Sequence, residues 1–138
     1  MKHFYFSEFF NSPTAAKNGI KNEPISDERD RVMLNIKSLV DNVLEPIRDK
    51  ECNPIIITSG YRSPQLNKIV GGADNSQHMS GCAADFYVYG YDPLMMYKVF
   101  LYIFNMLEFD QLIYYPIKNI IHVSYVENCN RHEAFIKK

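Results

Sequence analysis

The chain has no tryptophan, and its three cysteines, Cys52, Cys82 and Cys129, are too widely separated to form a C-x-x-C pair. That spacing argues against a zinc knuckle and against a disulfide framework, and fits free thiols made in a reducing compartment. No apolar run reaches the ~20 residues of a membrane-spanning helix, so no membrane insertion is expected. Lysine and arginine form no cluster, and the net charge is −1. Nothing provides the basic footprint that nucleic acid requires, so no nucleic-acid partner is expected. The opening MKHFYFSEFF contains Ser7 and Glu8 and lacks a small-residue cleavage site, so it does not read as a signal peptide. Synthesis as a soluble chain without a Sec-type export signal is the expectation.

At 138 residues the chain fits one domain, residues 1–138, long enough to bury a core, with monomer as the default state. Short helices are expected near 6–10 and 14–18. Ser26 can cap a longer helix, with Asp27 and Glu28 in its first turn. Ile36, Leu39, Val40, Val43, Leu44 and Ile47 give that helix its apolar face, and Pro46 should kink or end it. PIIITS at 54–59 reads as a buried strand, and a short helix follows at about 64–69. CAADFYVYG is a second strand. Asp92 and Pro93 open a helix running to about Leu107. Its polar positions, Lys98 and Asn105 with Tyr102 between, make one narrow stripe, so the helix is expected to be packed on most sides as core. FDQLIYYP and NIIHVSY are two further strands, joined by a tight turn at 116–118. Helices with an antiparallel sheet of about four strands indicate an α+β fold.

Three residues stand out as chemistry. His78 precedes Asp85 by seven positions, in a loop leading into the second strand, and His122 lies on a later strand. Strand alternation puts Asp85 on the face opposite Ala84 and Phe86, and His122 opposite Ile121 and Val123. Two imidazoles and a carboxylate make a three-ligand set for zinc with a fourth position open, the arrangement of a catalytic rather than a structural site. Spacing alone leaves a hydrogen-bonded core role open for each histidine. A carboxylate in so apolar a strand, however, needs a partner. His3 and His132, in terminal segments, are expected to face solvent.

Taken together, SGYRSPQLN, VGG, SQHMSGCAADF, FDQLIYYP and IIHVSY closely resemble the M15 zinc peptidases. The likeness is to the small phage and bacterial branch with the hedgehog/D-alanyl-D-alanine carboxypeptidase-like fold. SEFFNSPTAAKNGIKNEP and NVLEPIRDK extend it over nearly the whole chain. The resemblance implies one Zn²⁺ held by His78, Asp85 and His122, with the peptide of bacterial peptidoglycan as substrate. It implies that Arg62 holds a substrate carbonyl or carboxylate oxygen, a role suited to a planar, permanently charged fork. Ser76 and Gln77 could orient the first ligand or line a substrate cleft.

One position departs from the pattern. Many relatives carry Glu or Asp three residues before the final histidine, as the group that takes a proton from the attacking water. Here that position is Asn119, and an amide cannot act as a base; losing such a group costs about 10²–10⁴-fold in rate. Asp110 is the first substitute considered, with Glu127 and Glu108 behind it, and a turn or strand-start role for Asp110 stays open. Two functions therefore compete. One is a zinc peptidase cutting a peptidoglycan amide, made in the host cytoplasm as a phage lysis enzyme or carried in the virion. The other is a weak or inactive zinc-containing wall-binding or virion module.

Overall fold

Five strands frame the protein in the computed structural model, which describes all residues from Met1 to Lys138. They are β1 (Ile55–Ser59), β2 (Ala83–Val88), β3 (Gln111–Tyr115), β4 (Ile120–Ser124) and β5 (Glu133–Ile136), in the order β1-β2-β4-β3-β5. Neighbours run antiparallel except β3 and β5, which are parallel. The expectation of about four antiparallel strands is thus corrected to a mixed sheet of five. β5 is short, mostly exposed and lies at the sheet edge, so its residues carry little of the apolar alternation that marks an interior strand.

One face of the sheet is core. Ala84, Phe86 and Val88 of β2, Ile121 and Val123 of β4, and Leu112 and Tyr114 of β3 are all buried. Helices α1 (Phe6–Phe10), α3 (Ser26–Leu39), α4 (Glu45–Glu51) and α6 (Pro93–Met106) cover this face, while α2 (Pro13–Lys17) and α5 (Pro64–Ile69) share a separate small cluster of Ala15, Ile20 and Leu66. Ile36, Leu39, Val40, Val43, Leu44 and Ile47 are fully buried from α3 through the connecting turn to α4, as their spacing predicts, and Val32 is buried with them. Pro46 does not end this rod. A π-helical turn at Val40–Leu44 joins α3 to α4 and carries the chain past Pro46, whose ring and missing N–H would disrupt a regular α-helical ladder.

Burial along α6 departs from expectation. Met96, Val99, Phe100 and Ile103 are buried, but Leu94, Met95, Tyr97, Leu101, Phe104 and Met106 are exposed. The sheet offers this helix only one surface to pack on, and no second layer covers its outer side.

Two local features shape the opposite face of the sheet, which holds the site. A bulge in β1 inserts Thr58, so that Ser59 rather than Thr58 stands opposite Asp85. Directly after it, Gly60 passes so close to α1 that an added Cβ would lie 2.6 Å from the Phe9 Cα. Tyr61 N–H donates to the Phe9 carbonyl at 2.7 Å, fixing that approach.

Candidate metal centre

Asp85 and His122 are direct cross-strand partners on β2 and β4. Because residues paired in register project to the same side, both side chains leave the sheet away from the core. His78 comes from outside the sheet, on a 3₁₀ turn spanning Gln77–Ser80 that packs beside β2. Ser76 caps this turn by accepting from the His78 N–H at 3.3 Å, and Gly81 ends it with φ +80°. An added Cβ at Gly81 would lie 2.8 Å from the Val32 carbonyl oxygen of α3, so the turn sits hard against the helical layer.

The three side chains converge. One donor atom from each of His78, Asp85 and His122 falls within 4.8 Å of the others. His122 Nδ1 lies 2.8 Å and His78 Nε2 3.4 Å from Asp85 Oδ1. The two imidazoles meet edge-on with centroids 5.2 Å apart. Burial pushes the Asp85 pKa up, but the hydrogen bond from His122 and the closeness of the His78 ring outweigh it and hold the carboxyl well below its usual range. Asp85 is therefore ionised at neutral pH, the state in which a carboxylate ligates metal.

These residues fit a tetrahedral metal. Ligands at 2.0–2.2 Å around Zn²⁺ stand about 3.4 Å apart; Asp85 Oδ1 lies 2.8 and 3.4 Å from the two imidazole nitrogens, and all three donors fall within 4.8 Å. The His78 ring is already oriented as a ligand. Its Nδ1 donates to the Gly60 carbonyl at 2.7 Å, leaving Nε2 with its lone pair toward Asp85. A backbone carbonyl behind a ligand imidazole is the outer-shell arrangement that fixes tautomer and ring angle. The close approach of Gly60 to α1 is what places that carbonyl.

Two clefts meet at the centre. One, about 350 Å³, is lined by Arg62, Gly71, Asp85, Tyr115, Lys118 and His122. The other, about 650 Å³, is lined by Ser76, Gln77, Asp110, Tyr115, His122 and Arg131 among others. Arg62 Nε donates to Ser59 Oγ at 3.1 Å and Nη1 to Asn67 Oδ1 at 3.3 Å, while Nη2 stands 3.6 Å from Asp85 Oδ2. Burial lowers the Arg62 pKa and the Asp85 charge opposes it, and a guanidinium stays charged through such a shift.

Asp110 lies at the floor of the larger cleft with its acceptors engaged. Arg131 donates through its backbone N–H at 2.9 Å, Nε at 3.0 Å and Nη2 at 2.8 Å, and Gln77 Nε2 donates at 2.8 Å. The Arg131 hydrogen bonds hold the Asp110 carboxyl below its usual range against the opposing effect of burial. Gln77 thereby ties Asp110 to the turn that carries His78.

Asn119 occupies the β3–β4 turn with φ +54°. Its Oδ1 accepts from the Tyr114 hydroxyl at 3.0 Å and its Nδ2 donates to the Tyr91 carbonyl at 3.0 Å. It lines neither cleft. Glu127 accepts from Ser38 Oγ at 2.7 Å, and Glu108 borders a separate hollow beside Phe109 and His132. His3 pairs with Glu45 at 2.8 Å, and His132 stacks on Phe109 with centroids 4.1 Å apart. Both histidines are exposed but engaged.

Tyr115, Lys118 and Arg131 line the clefts and were not singled out by sequence. Tyr115 borders both, and burial with the nearby Asp85 charge raises its pKa, so the phenol is neutral. Alternation would place Tyr115 on the same face as His122, and that was the signal available.

A family model described as peptidase M15 matches residues 2–124. That span includes His78, Asp85, His122 and Arg62, and it stops short of Arg131 and β5. No curated protein matches the chain. The match runs from before α1 to the end of β4, and the chain belongs to the peptidase M15 family.

Proposed function

We propose that the protein is a zinc-dependent metallopeptidase that hydrolyses an amide bond in peptidoglycan peptides. The observation that carries this reading is the convergence of His78, Asp85 and His122 where two clefts meet, in a chain of the M15 family. When bound there, zinc supplies Lewis acidity toward a carbonyl and makes water more acidic. His78, Asp85 and His122 would hold it, with Gly60 fixing the His78 ring. Arg62 presents a guanidinium, braced by Ser59 and Asn67, beside the ligand carboxylate. From there it can hold the amide oxygen and stabilise negative charge as it develops. The neutral Tyr115 phenol makes no hydrogen bond within the protein and can donate to substrate from the junction of the clefts. A peptide strand laid through both clefts would cross the centre. Action at the bacterial cell wall, as a phage endolysin-like enzyme or a virion component, belongs to the same reading.

A second reading has its own observation. Asp110, the acid that lines a cleft beside Asp85, has its oxygens filled by Arg131 and Gln77, and its depressed pKa makes it a weak base. A zinc-holding module that binds wall peptides and cuts them slowly or not at all follows from that.

Mass spectrometry of muropeptides after digestion of purified sacculi separates the two. The zinc peptidase releases new amino groups, and release stops with chelator and with His78→Ala. Release that survives His78→Ala would contradict the metal mechanism. Zinc and sacculus binding with no new amines would establish the second reading.

A further inference from the structure

The outer surface of α6 carries one charged residue, Lys98, in fourteen. Leu94, Tyr97, Leu101 and Phe104 recur there at alternating spacings of three and four, the pattern of a helix-pairing seam. They expose 64%, 37%, 36% and 41% of their surface. The seam lies toward the β5 side of the helix. The Tyr97 ring approaches Tyr114 at 6.5 Å, and the Phe104 ring approaches His132 at 5.2 Å. Ile136, which pairs with Tyr114 in register, extends the patch along the sheet edge and is 48% exposed. Lys98 and Asn105 sit to one side of the seam rather than in it.

The geometry points to a second copy of this chain as the occupant, docked antiparallel along α6 about a two-fold axis. Such a pairing sets Leu94 of one copy against Phe104 of the other, and Tyr97 against Leu101, so large and small side chains alternate across the seam. It also sets the Lys98 residues of the two copies near one another beside the two-fold axis, on the flank of the seam, where their long stems can carry both ammonium groups out into water. An isologous contact needs one self-complementary patch, and this seam provides it. At about 200 Å² for a free large side chain, the exposed fractions of the five residues amount to roughly 450 Å² per copy. With the flanking stems, two copies bury on the order of 1,000 Å², the lower limit for a specific interface. Reversible pairing in the micromolar range or weaker follows. The seam lies on the side of the sheet away from His78, Asp85 and His122, so pairing leaves both clefts open.

Sedimentation velocity of the full-length protein from micromolar to millimolar concentration tests this. The expected result is a monomer–dimer equilibrium whose dissociation constant rises at least tenfold in Leu101→Glu. Met106→Glu places the same charge on the opposite flank of the helix and should leave the equilibrium unchanged. Both positions are exposed, and thermal melting checks that both variants remain folded. A monomer at every concentration overturns the inference. So does a dimer that Leu101→Glu leaves intact, or one that both variants weaken equally. Binding of the monomer to anionic phospholipid vesicles, abolished by Leu101→Glu, would assign the seam to a lipid surface instead.

Discussion

His78 shows how much a single side chain depends on neighbours distant in sequence. Its ring is set by the Gly60 carbonyl eighteen residues earlier, and its turn is tied through Gln77 to Asp110 thirty-three residues later. Asp110 itself is held below its usual pKa, chiefly by Arg131. A carboxyl with a lowered folded-state pKa contributes stability that is present above its unfolded pKa of ~3.9 and lost as pH falls through the folded value. Asp110→Asn should therefore cost about 1–3 kcal/mol at neutral pH. The deficit should shrink as pH falls below ~4, where the native carboxyl also takes up its proton. Denaturant melts of both proteins at pH 7 and at low pH check this, and a deficit that does not change with pH would sink it. The sequence made the convergence of Asp85 and His122 legible, because alternation on β2 and β4 places both away from the apolar residues beside them. It did not reveal the clamp on Asp110, because Arg131 arrives from an irregular segment with no periodicity to read.

Elements place these residues, and two tight contacts set the accuracy. Gly60 accepts no side chain: Gly60→Ala drives a Cβ into the Phe9 backbone, so α1 and β1 must separate. Overpacking of this kind costs about 1–3 kcal/mol or more, and it displaces the carbonyl that orients His78. The variant should melt lower and also bind zinc at least tenfold more weakly, as outer-shell losses do. A lower melting point with unchanged zinc affinity would show that the Gly60 carbonyl does not set the ligand. The β3–β4 turn makes the second case. Asn119→Asp replaces the donor that satisfies the Tyr91 carbonyl with an acceptor. It should destabilise by about 1–3 kcal/mol without raising hydrolysis, whereas a large gain in rate would mean that position 119 reaches the reacting water. Helix and strand existence was readable throughout because each element repeats its apolar spacing. The exceptions have physical causes. The π-helical turn absorbed Pro46, β5 is an edge strand with polar flanks, and the outer side of α6 looked like core because hydropathy reports apolar content and not which layers cover it.

At the scale of the whole molecule, α3, α4 and α6 pack one face of the sheet and leave the other for chemistry. The α+β class followed from the run of elements, and the mixed sheet did not, since pairing of β5 with β3 bridges segments more than twenty residues apart. A metal that binds the folded chain stabilises it by about 4 kcal/mol when present at a thousand times its dissociation constant. For a domain of this size that corresponds to roughly 10 °C or more in melting temperature. Chelator should lower the melting point by that amount in the native protein and leave His122→Ala unmoved. Equal shifts in both proteins would place the bound metal elsewhere.

The central claim is that His78, Asp85 and His122 hold one divalent ion together, and a competitive zinc titration against a chromophoric chelator tests it most directly. The native chain should take up about one equivalent, and His78→Ala, Asp85→Asn and His122→Ala should each lose it while remaining folded. Undiminished stoichiometric uptake by any one of those variants would contradict the account.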